Sequence, residues 1–304
     1  MRVGKSLWLA LAAATYSVSA LATEPLWSGD FETGDISQWP WSQSQPGAAD
    51  RLVVVNEPVR QGQHALRATV KYGDIHSSGA RAEVVLANPM FRDGDERWFH
   101  WYTLFPADFQ ASPSWAVYTQ WHSNGFDVPL AFNLRGETVS FRVMGHQYDR
   151  AGLWDAGTLW KAPLQRGKWN EYLLHVKFSD KSDVGFVELW VDGELVVPKT
   201  MHPTLVSGDS VYLKMGLYRD QAITWAQTVY HDGMAVYAGD PRPRESKVAA
   251  AHTEDVLMTD VAQNGETAGC GSNRGALAAL LLPGPLLFGW RRRTFRRRRQ
   301  TGAD

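Results

Sequence analysis

Cysteine is almost absent: Cys270 is the only one in 304 residues. A single cysteine forms no internal disulfide, so the fold has to stand on its hydrophobic core. Helical periodicity is missing too, since no window beyond about ten residues in the central region repeats its apolar positions at helical spacing. No histidine pair has metal-ligand spacing, and there is neither a glycine-rich phosphate loop nor a Ser/His/Asp order. A glycoside hydrolase built on strands would need alternating carboxylates such as Glu-x-Asp-x-x-Glu. The nearest approach, Glu188, Asp192 and Glu194, has the wrong spacing and spans a turn. These absences exclude the common metal, phosphate-binding and nucleophilic-hydrolase chemistries.

The two ends differ from the middle. Arg2 and Lys5 precede an apolar run over 7–14, and Ala20-Leu21-Ala22 is a small-x-small cleavage site. Residues 1–22 therefore read as a secretory signal, with an apolar run too short for a membrane span. At the other end Gly269-Cys270-Gly271 precedes an apolar segment over 276–290, broken by Pro283-Gly284-Pro285, and arginines at 291–293 and 296–299. This end resembles the Gly-Cys type of C-terminal sorting tail found on myxobacterial surface proteins. The resemblance implies that 269–304 is a sorting and anchor tail, with Cys270 processed or lipid-modified and the arginines on the cytoplasmic side of a transient stop. The expected location is secreted or cell-surface, with membrane contact only through the tail before processing. Export also makes nucleic acid an unsuitable partner for the arginine run.

The whole chain has 31 basic and 32 acidic residues, but residues 24–264 hold 21 basic against 30 acidic, a net charge of −9. Such a domain repels a densely charged polyanion at long range. Plain uronates are therefore better partners than heavily sulfated glycans, unless a local basic cleft overrides the field.

Residues 24–240 read as one domain, followed by a polar linker over 241–268 that opens with Pro241-Arg242-Pro243-Arg244. Strand follows strand at 52–56, 65–72, 97–105, 116–122, 129–134, 139–144, 171–178, 184–191, 211–218 and 228–237. These segments are rich in Val, Trp, Tyr and Phe and are punctuated by Gly, Asp and Asn. Asp192-Gly193 marks a hairpin turn into 194–197. The spacing predicts an all-β jelly roll of two packed antiparallel sheets. Gly29-Asp30-Phe31-Glu32-Thr33-Gly34-Asp35 before Trp39, and Gly167-Lys168-Trp169-Asn170-Glu171-Tyr172, resemble segments of secreted concanavalin-like sandwiches.

Three strand segments carry reactive polar groups. Strand alternation points Gln120 and His122 one way and Trp121 the other. Tyr212, Lys214 and Tyr218 share a face opposite Leu213, Met215 and Leu217, and Arg81 shares a face with Glu83. Arg81-Ala82-Glu83-Val84, Gln120-Trp121-His122 and the run from Tyr212 to Arg219 resemble the signature strands of jelly-roll polysaccharide lyases. The alginate lyases carry similar motifs, and the closer resemblance, over 26–240, is to the heparin-lyase-I-like group that includes glucuronan lyases. Two positions depart from the alginate-lyase pattern, Leu86 in place of a second arginine and Arg219 in place of asparagine.

The resemblance implies cleavage of a 4-linked uronate, glucuronan-like or alginate-like, by β-elimination. The C5 proton is not acidic while the adjacent carboxylate is ionised, so something must neutralise that carboxylate. By resemblance this falls to Gln120, an amide donor, and Arg81, a guanidinium fork. His122 and Tyr218 are the acid–base pair, with Tyr218 expected to protonate the leaving oxygen. Either His122 or Tyr218 is left as the base. A phenol can act near neutrality where cations favour its ionised form, and Lys214, Arg219 and Arg81 are the candidates.

His76, Lys214, Asn133, Arg142, Tyr212 and Glu83 are candidate substrate-binding residues, each with a plainer reading as a surface or ion-paired group. Trp98, Trp121, Trp160, Trp169 and Trp190 are expected in the core, and Trp115, Trp154 and Trp225 as sugar platforms. The chemistry requires no cofactor, and a structural calcium ion could use Asp30, Glu32 or Asp232. The expected partner is an acidic polysaccharide, acted on by a monomer. The competing reading is a non-catalytic carbohydrate-binding sandwich, which has no need of a phenol beside an imidazole.

Overall fold

The computed structural model describes residues 24–125, 128–143 and 157–243. The chain divides into two units, Met1–Val248 and Ala249–Asp304, and the second lies outside the described residues. So do the leader at 1–22, Trp154, Cys270 and most of the linker. Among the described residues no helix is long and apolar enough to cross a membrane.

The described chain is a succession of strands: β1 (Trp27–Gly29), β2 (Trp41–Gln43), β3 (Leu52–Val55), β4 (Ala65–Val70), β5 (Ala80–Phe91), β6 (Glu96–Leu104), β7 (Trp115–Ser123), β8 (Leu130–Arg135), β9 (Thr138–Val143), β10 (Thr158–Pro163), β11 (Trp169–Lys177), β12 (Phe186–Val191), β13 (Glu194–Met201), β14 (Val211–Arg219) and β15 (Gln227–Tyr237). They form two antiparallel sheets. One runs β13-β12-β11-β6-β15-β4-β3, with β1 also on β15, and the other runs β10-β9-β8-β7-β14-β5-β2. The predicted two-sheet sandwich is what the chain forms.

Alternation supplies the core. Leu213, Met215 and Leu217 of β14, Trp121 of β7 and Phe132 of β8 meet Phe99 and Trp101 of β6 and Tyr172 of β11, none more than 1 % exposed. Trp101 lies 5.2 Å from Tyr172 in a stack and edge-on to Phe132 at 5.1 Å. Burying each such ring contributes about 1.5–3 kcal/mol, so this layer holds the sheets together without a disulfide. Of the tryptophans expected inside, Trp121 is central and Trp160 packs against the core. Trp98 and Trp190 instead form a separate cluster with Leu173 on the opposite face of their sheet. Trp169 is half-buried. The Asp192-Gly193 turn closes β12 onto β13 with both residues at positive φ, 51° and 82°, as a two-residue hairpin requires.

Two irregularities shape the outer face of the seven-stranded sheet. In β7, Val117 pairs with Asn133 while Thr119 pairs with Phe132. This bulge turns Tyr118 into the core, its hydroxyl 3.2 Å from that of Tyr172, and leaves Val117 outward with Gln120. In β5, residues 87–90 bulge opposite Tyr212 alone, because Phe91 pairs with Val211 and Leu86 with Leu213.

Candidate active site

The three motifs, far apart in sequence, are hydrogen-bonded neighbours at the centre of one sheet, β5 and β7 flanking β14. Tyr218 pairs with Arg81, Lys214 with Gln120, and Tyr212 with His122. Two glycines make the packing feasible. Gly216 has φ +144°, and a Cβ there would sit 2.1 Å from the Ala82 carbonyl oxygen. A Cβ on Gly79 would sit 2.4 Å from the Tyr218 ring.

Arg81, Gln120, His122 and Tyr218 line one cleft of about 370 Å³, together with Trp115, Val117, Asn133 and Arg142. Among the described residues its lining contains no Asp or Glu. Two further hollows flank it on the same face. One, about 260 Å³, shares Trp115, Asn133 and Arg142 and adds Arg135 and Lys161. The other, about 340 Å³, is lined by His76 and Tyr212 along with Trp41, Gln43, Met90 and Asn124.

Below the cleft lies a buried charged network. Glu83 (2 % exposed) accepts from Gln120 Nε2 at 2.5 Å through Oε1. Its Oε2 stands 3.5 Å from Arg81 Nη1 and 3.7 Å from Lys214 Nζ. Both cations also donate to Gln43 Oε1, Lys214 at 2.8 Å and Arg81 at 3.3 Å. Burial holds the Lys214 ammonium below its ordinary range, and Glu83 partly opposes that. Two cations and one anion leave the cluster net positive within an acidic domain.

His122 is set up differently. Its Nδ1 lies 2.7 Å from the Ser123 carbonyl oxygen. A carbonyl only accepts, so Nδ1 carries the hydrogen and Nε2 keeps its lone pair. Burial lowers its pKa, Lys214 and Arg81 add to that, and the bond to Ser123 and the Glu83 charge oppose it. The imidazole stacks on Tyr212, with ring centres 5.4 Å apart.

Of the residues expected at the sugar, Asn133 and Arg142 reach the central cleft, and His76 and Tyr212 the adjoining hollow. Glu83 and Lys214 line neither, unlike Gln120, and lie in the network below the floor, which corrects the expectation of substrate contact. Arg219 is likewise no neighbour of the phenol. It is fully buried, donates to the Trp225 carbonyl at 2.6 Å and to Gln227, and burial lowers its pKa to about 10. Leu86 faces the core. Among the expected platforms Trp115 lines the cleft, whereas Trp225 donates its indole N–H to the Gln110 carbonyl, away from these hollows. Trp41 and Gln43 went unnoticed in the sequence.

Among the described residues no group of three or more His, Cys, Asp and Glu could hold a metal ion. Glu32 and Asp232 nevertheless offer a partial fit to a hard cation. Glu32 accepts from the Gln63 and His64 backbone N–H groups, and Asp232 Oδ2 from those of Arg60 and Gln61. Asp232 Oδ1 is buried without a partner, and burial raises that carboxyl to about 6. Asp30 Oδ1 is already taken by Gln38 Nε2 at 2.7 Å.

A family model described as polysaccharide lyase matches residues 31–235. No curated protein matches the chain. Among solved structures, the endo-β-1,4-glucuronan lyase of the fungus Trichoderma reesei aligns over 72 % of this chain and 100 % of its own, with 19 % identity and a TM-score of 0.59. The catalytic domain of a glycoside hydrolase family 131 protein from Coprinopsis cinerea covers 72 % of this chain and 96 % of its own, at 12 % identity and a TM-score of 0.51. A family 131 β-glucanase domain from Podospora anserina covers 71 % and 97 %, at 11 % identity and 0.52. At these identities the structures share the fold with this chain, and that fold serves lyases and hydrolases alike.

Proposed function

We propose that this chain, which belongs to the polysaccharide lyase family and is a polysaccharide lyase, cleaves a 4-linked uronic-acid polymer of glucuronan or alginate type by β-elimination. The observation that carries the reading is the composition of the central cleft. An amide, a guanidinium, an imidazole and a phenol line it, and among the described residues no carboxylate does. A hydrolase needs two carboxylates at the scissile bond, whereas an elimination needs the substrate's own carboxylate neutralised and a proton moved.

Arg81 and Gln120 would meet the substrate carboxylate, stabilising the charge that develops when C5 loses its proton. His122 is the base, because its Nε2 lone pair is free of a proton and burial keeps the ring neutral near pH 7. It takes the C5 proton, the C4–C5 double bond forms, and the C4–O bond breaks. Tyr218 gives its proton to the departing oxygen. The net positive cluster at the site, set in an acidic domain, favours a polymer with one carboxylate per sugar over a sulfated chain. A binding module would have no use for a free imidazole lone pair in the same cleft as a phenol.

We place the protein outside the cell, secreted or on the cell surface, on the reading of residues 1–22 and 269–304. A structural cation at Glu32 and Asp232 belongs to the same proposal and takes no part in the chemistry. It would show as a calcium-dependent rise in melting temperature that is lost in Asp232→Asn.

Incubating the full chain with polyglucuronate, alginate, hyaluronan and heparin, while following the ultraviolet absorbance of the unsaturated product, tests class and substrate together. Absorbance on polyglucuronate or alginate is expected. Binding without absorbance on every polymer would favour the carbohydrate-binding reading.

A further inference from the structure

The hollow beside the catalytic cleft has its own chemistry. β2 pairs with β5 so that Trp41 faces Val85 and Gln43 faces Glu83. Cross-strand partners share a face, so both β2 side chains stand on the side of the sheet that carries the cleft. Gln43 is tied into the buried network, whereas Trp41 is 64 % exposed. Its indole opens onto a hollow of about 340 Å³, floored by Val85 and by Ala87 and Met90 of the β5 bulge. The opposite wall is Tyr212, which stacks on His122. The hollow therefore continues the catalytic cleft, with one aromatic pair between them.

Among the described residues no Lys or Arg lines this hollow. The hollow at the other end of the cleft is lined by Arg135, Arg142 and Lys161. The cleft is thus chemically polar along its length, aromatic at one end and cationic at the other.

We propose that the Trp41 hollow is a distal subsite that holds a pyranose ring of the polymer by its apolar face and does not read a carboxylate. This inference rests on the lyase reading and deepens it. A sugar ring presents C–H groups on one face and hydroxyls at its rim. An exposed indole covers the face, and Asn124 and Ser42 offer polar partners at the rim. Carboxylates are read at the cationic end. The sugar at the Trp41 end can accordingly be neutral, so the substrate class includes polymers in which uronates are interspersed with uncharged hexoses.

The test compares the wild-type full chain with Trp41→Ala and Trp41→Phe on polyglucuronate and on 4-linked glucuronate oligosaccharides of increasing length. Thermal melting is followed alongside. Trp41→Ala should raise KM about 10-fold on long substrates, equivalent to one stacked ring, with kcat and melting temperature kept and the shortest cleaved oligosaccharide unaffected. Trp41→Phe should recover most of the loss. Uncharged 4-linked glucose oligosaccharides should inhibit the wild type competitively and inhibit Trp41→Ala far less.

Equal KM for wild type and Trp41→Ala at every length would overturn the subsite. Failure of the neutral oligosaccharide to bind wild type would overturn its indifference to the carboxylate. If the wild type cleaves no uronate polymer, the lyase reading fails instead. Calorimetric binding of the neutral oligosaccharide, lost in Trp41→Ala, would then still establish the subsite, and its absence would refute it.

Discussion

The guanidinium carbon of Arg81 lies 4.0 Å from the ring centre of Tyr218, its direct cross-strand partner. Trp115 meets the same phenol ring edge-on at 4.8 Å, and Gly79 packs against it. The ring is held by a cation, an indole and bare backbone, while the residue as a whole still lines the cleft. Such fixing costs no side-chain reorganisation at the moment of reaction.

Tyr218→Phe should therefore keep fold and polymer binding, because the Arg81 and Trp115 contacts are made to the ring. Turnover should fall at least ~100-fold, the usual scale for losing a positioned acid. Product absorbance and a melting curve read both. Undiminished turnover would remove Tyr218 from the chemistry.

The two glycines separate positioning from folding. Gly79→Ala puts a methyl group 2.4 Å from the Tyr218 ring edge. A ring tip can move aside, so the melting temperature should hold while kcat drops. Gly216→Ala meets the β5 backbone, with the Ala82 oxygen at 2.1 Å and the Glu83 Cα at 2.8 Å, at φ +144°. Nothing there can yield cheaply, and about 2–4 kcal/mol of stability should be lost. A fully active Gly79→Ala would show that the phenol does not depend on this contact.

The tautomer of His122 fixes the pH profile. The base works only when neutral, and burial lowers its pKa from the ordinary value of about 6.5. The acid limb of kcat/KM should consequently lie below pH 6.5, with activity falling as protonation sets in. His122→Gln should lose the activity along with the limb. An acid limb above 6.5 would contradict a buried, neutral imidazole.

The motifs were legible because a strand alternates with period two, so Gln120, His122, Lys214 and Tyr218 share a side without further information. Which outward-facing groups stay at the surface was not legible. Glu83 and Lys214 point away from the core yet are covered, in part by Gln43, from a β2 only three residues long. A segment that short, beside Pro40, has no periodicity to detect, and Trp41 was missed with it. The β7 bulge is equally silent, since Val117 and Tyr118 exchange faces through a pairing slip set by β8 and β14. Trp98 and Trp190, expected in the core, are put by strand alternation on the opposite face of the sheet, under Arg242.

Glu83 offers the sharpest separation of positioning from contact, because it is buried and lies against both Gln120 and the two cations. Glu83→Gln keeps the volume and can still accept from Gln120, but it removes the anion between Arg81 and Lys214. Stranding buried cations costs up to about 3–5 kcal/mol. Lys214 can relieve part of this by giving up its proton, since Glu83 is the first of the influences now holding its pKa up against burial. The sign follows. A lysine whose folded pKa is depressed binds fewer protons folded than unfolded, between the lowered value and about 10.4. Stability from this group rises with pH across that window and is lost as pH falls through it. Removing Glu83 extends the window downward, so the melting temperature of Glu83→Gln should climb more steeply toward alkaline pH than that of the wild type. Its kcat should fall, as Gln120 loses its charged anchor. Parallel pH–stability curves for the two proteins would mean that Glu83 does not hold the Lys214 charge in place.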